Sequence, residues 1–255
     1  MAKGGKIMKK IVMALLVVFA VAGFTKNVYA EEVYYTNQNG VELTREEYEF
    51  LSTFYTERYP EFMTRDMYDE FVADDLLNSE VETVSYTEPQ LPLLNPGLEP
   101  NSTSHSDGAK TVQISRACLS TYCIMSLVNT WHGNPSVRSW DNIGAYLDGV
   151  SLLKHNSTYV DSTAGTVWYA NLNTTNGIGN SVKLPDTGSD IIICMSFKVS
   201  RGGTVYGSYQ HAMQNTTLLN SQNYTLDILG YGNVFSYYGN AIGVYDDMNG
   251  VDIDV

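Results

Sequence analysis

The fold is set by residues 121–131, whose sequence is TYCIMSLVNTW. The stretch divides into two alternating sets of residues, Ile124, Ser126, Val128 and Thr130 in one and Met125, Leu127 and Asn129 in the other. Successive side chains of a β-strand point to opposite faces of a sheet, so this alternation is typical of a strand. We therefore predict a β-strand over residues 121–131.

The sequence on both sides of this strand has the same character. Thr, Val, Ile and Tyr are abundant after Thr111, and Gly and Asn separate the runs. Candidate strands lie at 111–118, 121–131, 137–149, 165–171, 178–184, 190–199, 205–217, 224–229, 233–237 and 241–245. Helical crossovers are missing between them, which favours antiparallel pairing. We predict a mainly β fold, with residues 111–255 forming an antiparallel β-sandwich preceded by a short acidic helical hairpin.

Residues 31–84 are predicted to be the acidic helical segment. Thr44 can cap a first helix, with Glu47 completing a capping box, and Pro60 ends that run. Thr64 can cap a second helix. The acidic side chains of both helices are expected to face water; they are Glu46, Glu47, Asp69, Glu70, Asp74 and Asp75.

Residues 85–110 have the composition of an extended linker. Four prolines recur between residues 89 and 100, and a serine-rich stretch follows them. Proline interrupts regular hydrogen bonding, and the serine-rich part has little to bury. The linker is predicted to separate the helical segment from the sandwich.

Residues 1–30 have the features of a secretory signal peptide. Lys9 and Lys10 precede an apolar run over residues 11–24, and Ala30 occupies the position of a cleavage site. The alternative is a membrane anchor, but a spanning helix needs roughly 20 apolar residues. We expect a secreted or extracellular protein, loosely surface-associated or released, without a stable membrane span after cleavage. Either Met1 or Met8 can be the natural start.

The charge of the chain disfavours nucleic acid as a partner. The predicted mature chain from residue 31 has 10 basic and 28 acidic residues, a net charge of −18. Residues 31–100 contribute −14 of this and residues 101–255 only −4. Nucleic-acid binding normally requires a basic face.

Three cysteines follow the leader: Cys118, Cys123 and Cys194. If the strand extends through residue 118, Cys118 and Cys123 project to opposite faces and cannot bridge each other within it. Either cysteine could reach Cys194, or all three could be buried without a disulfide.

Two short motifs resemble functional signals but are more simply explained as turns. Residues 184–188 read Leu-Pro-Asp-Thr-Gly and match the LPxTG wall-sorting signal, but a turn between strands explains the same letters. Asn37-x-Asn39-Gly40 and Asp247-x-Asn249-Gly250 resemble fragments of a calcium loop and are read as turns. No metal site and no cofactor is predicted.

The candidate ligand-binding residues are Trp131, Arg138, Trp140, Asp141 and His211. Residues 131–141 combine two tryptophans with an arginine and an aspartate around Gly and Pro. This segment could be a recognition edge for a sugar or peptide, or an Arg138–Asp141 pair could fix a hairpin over the core. His211 is the histidine that a strand is best placed to position.

Two stretches resemble uncharacterised secreted proteins of Gram-positive bacteria. The first is Tyr34-Tyr35-Thr36-Asn37 followed by Gly40-Val41-Glu42-Leu43-Thr44, and the second is Pro135-x-Val137-Arg138-Ser139. These proteins have no assigned activity, so the resemblance implies export and no catalytic residue.

The sequence predicts an exported, non-catalytic binding protein whose partner is a cell-surface glycan or protein. No catalytic residue is assigned. The alternative is a secreted hydrolase whose site assembles only in the fold, and a toxin-like or membrane-active protein ranks third. A pocket holding His211 beside a carboxylate or Cys194 would favour the hydrolase, and an aromatic patch around Trp131 and Trp140 would favour binding.

Overall fold

The computed structural model describes residues 32–87, 109–135, 137–160, 168–170, 177–212, 223–227, 233–238 and 249–255. The predicted leader, most of the predicted linker and the predicted strand at 241–245 lie outside these residues.

The described strands and helices follow one another in a simple order. The strands are β1 (Tyr35–Thr36), β2 (Glu42–Leu43), β3 (Val81–Thr87), β4 (Ala109–Cys118), β5 (Tyr122–His132), β6 (Trp140–Asp148), β7 (Leu152–Val160), β8 (Trp168–Ala170), β9 (Gly177–Lys183), β10 (Ile192–Ser200), β11 (Thr204–Gln210), β12 (Asn223–Asp227), β13 (Asn233–Tyr238) and β14 (Asn249–Asp254). The helices are α1 (Arg45–Phe54), α2 (Tyr59–Phe62) and α3 (Arg65–Ala73), followed by a 3-10 turn at Leu76–Asn78.

Two five-stranded antiparallel sheets form the body of the protein. The first sheet has the strand order β3-β4-β5-β10-β7 and the second has the order β14-β11-β6-β9-β8. Apolar side chains from both sheets meet between them, among them Met125, Leu127 and Trp131 of β5. The predicted mainly β, antiparallel sandwich-like fold is confirmed.

The helices cover the outer face of the first sheet, so both faces of β5 are buried. We call residues 44–78 the helical cap. Leu51, Phe54 and Phe71 of the cap share a second apolar cluster with Ile124 and Val128 of β5. The two alternating sets of side chains in residues 121–131 therefore point into two different apolar clusters, and both sets are largely buried.

The ends of the cap helices are largely as the sequence predicts. Thr44 and Glu47 form the predicted capping box, and the Thr64 hydroxyl accepts a hydrogen bond from the Met67 backbone. Pro60 does not end the first helix, which stops at Phe54; it lies in the first turn of α2, where the missing N–H of proline costs nothing.

Two of the acids predicted to face water are buried. Glu47 is 7 % exposed because its carboxylate caps α1 and accepts a hydrogen bond from the Tyr68 hydroxyl at 2.9 Å. Asp74 is 9 % exposed and forms an ion pair with Lys198 of β10 at 2.5 Å. The Glu47 contact holds two helices of the cap together, and the Asp74 ion pair holds the cap on the first sheet.

The cysteine prediction is wrong in its geometry. Cys118 and Cys123 form a disulfide, because residues 119–121 turn the chain and place the two cysteines directly opposite each other on β4 and β5. Both side chains therefore point to the same face of the first sheet. Cys194 is free and buried between that sheet and the cap.

The structure contains several strands that the sequence does not predict. Strands β1, β2, β3, β7 and β14 were not predicted; β1, β2 and the first part of β3 lie in the segment predicted to be helical. The described part of the 165–171 prediction is the short β8, and residues 85–87 and 109–110, assigned to the linker, lie in β3 and β4. Strand β7 is an edge strand with two register shifts against β10, and its sequence lacks a clear apolar face.

The cap interface gives a prediction about alkaline pH. Desolvation by burial raises the pKa of the Cys194 thiol from 9.0 to about 12, against a smaller lowering by its hydrogen bond with Ser126, and also raises the pKa of the Tyr55 hydroxyl. The unfolded chain loses these protons at a lower pH than the folded chain does. The stabilising contribution of the buried, protonated thiol to the free energy of unfolding is therefore present in full below pH 9. It is lost as pH rises from 9 towards 12.

We expect the free energy of unfolding to fall more gently across pH 8.5–10.5 in Cys194→Ala than in the unmodified chain. Urea unfolding at each pH, followed by circular dichroism, measures the two slopes. Equal slopes would contradict the burial of this thiol.

Candidate functional site

Four polar or aromatic side chains meet in the interior of the sandwich. Trp131 comes from β5 of the first sheet, Asp141 and Tyr209 come from β6 and β11 of the second, and His211 follows β11 directly. All four have an exposed fraction of 0 %. We call these four residues the interior cluster.

Asp141 is the hydrogen-bond acceptor of the cluster. The Tyr209 hydroxyl donates to its Oδ2, and the Ala212 backbone N–H donates to its Oδ1 at 3.0 Å. Nδ1 of His211 lies 2.9 Å from both carboxylate oxygens. These contacts compensate the cost of burying a carboxylate in an apolar core.

Trp131 joins this network to the other sheet. Its Nε1–H donates to the Tyr209 hydroxyl oxygen at 3.1 Å, and its ring meets the His211 ring edge-on at 4.6 Å between centroids. Lys110 of β4 is 2 % exposed, and its Nζ lies 5.3 Å from the Trp131 ring centroid. The cluster therefore links the two sheets through directional bonds as well as apolar contact.

The Asp141–His211 pair has the orientation of an acid–base dyad but no access to substrate. A carboxylate that holds an imidazole Nδ1 is a recurrent arrangement in hydrolases. A working dyad also needs a nucleophile and a substrate within hydrogen-bond reach of the ring. In this structure the whole dyad is sealed between the sheets.

Cys194 cannot serve as the nucleophile of this pair. Its side chain lies on the cap side of the first sheet, where its Sγ is 3.7 Å from the Ser126 hydroxyl oxygen. His211 lies on the other side of that sheet, and burial keeps the thiol protonated at neutral pH.

The structure thus divides the five candidate residues among three places. Trp131, Asp141 and His211 belong to the interior cluster, whereas Trp140 precedes Asp141 on β6 and lies half-buried on the outer face of the second sheet. Arg138 does not pair with Asp141; it hydrogen-bonds backbone oxygens of a neighbouring loop instead. The predicted ligand-binding role of these residues remains a prediction.

That neighbouring loop is held from several sides. We call residues 184–190, between β9 and β10, the end loop. Arg138 donates from Nη1 to the Pro185 oxygen at 2.7 Å and from Nη2 to the Gly188 oxygen at 2.5 Å. Arg58 of the cap donates to the Asp190 oxygen at 3.1 Å. These bonds fix the backbone of the loop at both ends.

The tip of the end loop remains open to solvent. Residues 186–190 are all exposed, while Leu184 is only 1 % exposed and belongs to the sandwich core. Asp190 has a φ of 55°, a left-handed conformation that is uncommon for a residue other than glycine. The LPxTG-like letters therefore form a fixed turn, as the sequence predicts.

Sequence reasoning missed two residues that fix this loop, Arg58 and Lys183. Lys183 donates a hydrogen bond to the Arg138 backbone oxygen at 2.5 Å. It therefore helps to position Arg138, which in turn anchors the end loop. Both residues act on backbone atoms far away in sequence, and no local pattern signals such contacts.

The first Asn-Gly motif is a turn. Asn37 is 6 % exposed; its amide donates to the Pro60 and Met63 oxygens, and its Oδ1 accepts from the Asn39 and Val41 backbones. These bonds occupy the side-chain groups that a cation would need. In the second motif Asp247 lies outside the described residues, and Asn249–Gly250 begin β14.

Among the described residues, no three His, Cys, Asp or Glu side chains are grouped so that they could hold a metal ion. Within the same residues, no helix has the length and apolar character needed to cross a membrane.

Comparisons with known proteins leave the family open. No family model matches this chain, and no curated protein matches it. A solved structure described as "pH-induced modulation of Streptococcus parasanguinis adhesion by Fap1 fimbriae" is similar, with 13 % identity over 68 % of this chain and 95 % of that chain. Its TM-score is 0.32, and at that value the likeness supports no conclusion about fold or function.

The interior cluster gives a prediction about stability. Asp141→Ala would leave the Tyr209 hydroxyl, the His211 ring and the Ala212 N–H without their shared acceptor. Removing one partner of a buried charged network costs about 3–5 kcal/mol. Urea unfolding of residues 31–255 measures the loss.

Asp186→Ala is the matched control, because that side chain is 88 % exposed. It should leave the unfolding midpoint unchanged within error. A similar midpoint for the two variants would show that the interior cluster contributes nothing to stability.

Proposed function

We propose that this chain is an exported, non-catalytic binding protein that contacts its partner through the end loop. The observation that carries the proposal is the fixed and exposed tip at residues 186–190. Loops held on a rigid scaffold are common recognition elements. The Asp–His pair that would support catalysis lies out of reach of solvent.

The end loop is pre-organised for contact. Arg138 and Arg58 anchor it, and Asp190 holds an uncommon backbone conformation. A loop that is ordered before binding loses little conformational entropy when it binds. Affinity then depends on the groups at the tip.

The groups at the tip suit a partner rich in hydroxyl or amide groups. Asp186 and Asp190 supply carboxylate acceptors, and Thr187 and Ser189 supply hydroxyls. Trp140 lies next to the base of the loop, because it is paired with Lys183 on β9. An aromatic face beside polar groups is the chemistry that recognises a cell-surface glycan or a protein edge.

Two features support export. The leader over residues 1–30 has the composition of a secretory signal. The disulfide between Cys118 and Cys123 is of the kind that persists in oxidising compartments outside the cytosol. The resemblance to secreted proteins of Gram-positive bacteria points to the same compartment, and the proposal includes that origin.

The second candidate function is a secreted hydrolase, favoured by the contact between His211 and Asp141. It requires the interior cluster to open towards substrate. Hydrolysis of an ester, peptide or glycoside substrate that is lost in His211→Gln and retained in the loop variants below would replace the binding proposal.

The test of the binding proposal uses purified residues 31–255 on a glycan array and on Gram-positive cell-wall fragments. The double variant Asp186→Ala/Thr187→Ala removes two tip groups. We expect it to weaken binding about tenfold, the usual effect of losing central contacts. Arg138→Ala should weaken binding as well, because it releases the loop.

The matched control is Glu46→Ala/Thr53→Ala, which removes one acid and one threonine from the exposed side of α1. It should bind as the unmodified chain does. Absence of binding to every array component, or equal loss in both double variants, would overturn the proposal. Thermal unfolding of each variant separates lost contact from lost folding.

A further inference from the structure

A second surface of the protein combines aromatic rings with negative charge. It lies on the outer face of the second sheet, away from the sandwich interior and at the opposite end of the strands from Trp140 and Lys183. We call it the tyrosine face, and its members are Tyr146, Asp148, Thr204, Tyr206, Asp252 and Asp254.

The strand register places the two tyrosines side by side. Tyr206 of β11 is directly opposite Tyr146 of β6, and their ring centroids are 6.2 Å apart at an interplanar angle of 47°. On its other side Tyr206 is directly opposite Asp252 of β14. Asp252, Tyr206 and Tyr146 therefore lie side by side on the neighbouring strands β14, β11 and β6. Both rings are half-buried, so part of each stays accessible.

The next row on the same face carries two more carboxylates. Thr204 is directly opposite Asp148 on β6 and Asp254 on β14. The Thr204 hydroxyl donates to Oδ1 of Asp254 at 2.7 Å, which orients that carboxylate. Asp148, Asp252 and Asp254 are all exposed. Acids thus flank the ring pair on one side, at Asp252, and at one end, at Asp148 and Asp254.

The aspartates of this face are not neutralised by a salt bridge among the described residues. Within the described part of the chain, none of its three aspartates takes part in an ion pair. Arg116 reaches the backbone oxygen of Asp254, but its guanidinium is paired with Glu82. Carboxylates two strands apart are separated by about 10 Å, close enough to repel each other in the unbound protein.

We propose that the tyrosine face binds a cationic segment of a partner polypeptide, rich in arginine or lysine. A guanidinium or ammonium group is attracted to the face of a tyrosine ring. Carboxylates beside the ring add charge-assisted hydrogen bonds, which arginine can make in pairs. The net charge of −18 in the predicted mature chain attracts such a partner over a longer range.

This proposal does not depend on the end loop, which belongs to a different part of the surface. Loss of the end-loop function would leave the tyrosine face intact. The reverse also holds, so variants of the two surfaces separate the two proposals.

The experiment titrates residues 31–255 with fluorescent ten-residue peptides of arginine, lysine, serine and glutamate, using fluorescence anisotropy. We expect the arginine and lysine peptides to bind and the other two to remain unbound. Affinity should fall as salt rises from 0.02 to about 0.15 M, because screening weakens exposed charge pairs.

Variants locate the binding surface. Asp148→Asn/Asp252→Asn should lower affinity for the arginine peptide about tenfold, as expected when two charge-assisted contacts are lost. Tyr206→Leu keeps an apolar side chain but loses the ring, and should lower affinity about threefold. Tyr206→Phe keeps the ring and should restore most of the binding.

The matched control is Glu46→Gln/Glu49→Gln, which makes the same change in net charge on the exposed side of α1. It should change affinity less than twofold. Equal losses in the two charge variants would show attraction by net charge alone and would overturn the proposal. Binding of the serine peptide as tightly as the arginine peptide, or no binding of either cationic peptide, would also overturn it.

Discussion

The structure depends on the burial of both faces of the central strands β5 and β10. On one face, Met125, Leu127 and Trp131 meet the second sheet; on the other, Ile124 and Val128 meet the helical cap. A sheet that is covered on both sides cannot expose either set of side chains without losing apolar burial, at about 25 cal/mol per Å². The two apolar clusters lie back to back across β5 and β10, so we expect the cap and the sandwich to unfold as one unit. The Tyr55–Ser196 hydrogen bond and the Asp74–Lys198 ion pair supplement the apolar contact between the cap and β10 with geometrically specific polar bonds.

The same constraint explains why the chemistry of this protein is distributed as it is. Polar groups inside the sandwich must be paired, and the interior cluster achieves this by sharing one carboxylate among Tyr209, His211 and Ala212. In this place the Asp141–His211 contact helps to satisfy the buried carboxylate, and neither side chain is exposed to solvent. Solvent-accessible groups lie where the strands end and on part of the outer face of the second sheet. The end loop and the tyrosine face are two such places.

Local pattern predicted the parts of the fold that depend on local energetics. Strand β5 followed from its alternation, and the caps of α1 and α3 followed from Thr44 and Thr64, since each depends on residues within four positions. The pairing of Cys118 with Cys123 was missed because a three-residue turn changes which faces two cysteines share. Glu47 and Asp74 were expected in water, yet partners 21 and 124 residues away bury them. The contact between Asp141 and His211 spans 70 residues, which no window of sequence reveals. The site residues named from sequence include Trp140 and Asp141, which alternation places on opposite faces of one strand, so these two cannot share a surface.

The measurement that tests the shared core most directly is the labelling of Cys194, the one free cysteine, by a thiol reagent as urea is increased. Cys194 is 2 % exposed beneath the cap, and Trp131 reports on the sandwich interior through its fluorescence once Trp140 and Trp168 are replaced by phenylalanine. If cap and sandwich form one core, Cys194 becomes reactive only when the whole chain unfolds, with the same midpoint and urea dependence as the fluorescence change. Labelling at a much lower free energy, with a weak urea dependence, would show that the cap opens independently and would contradict this account.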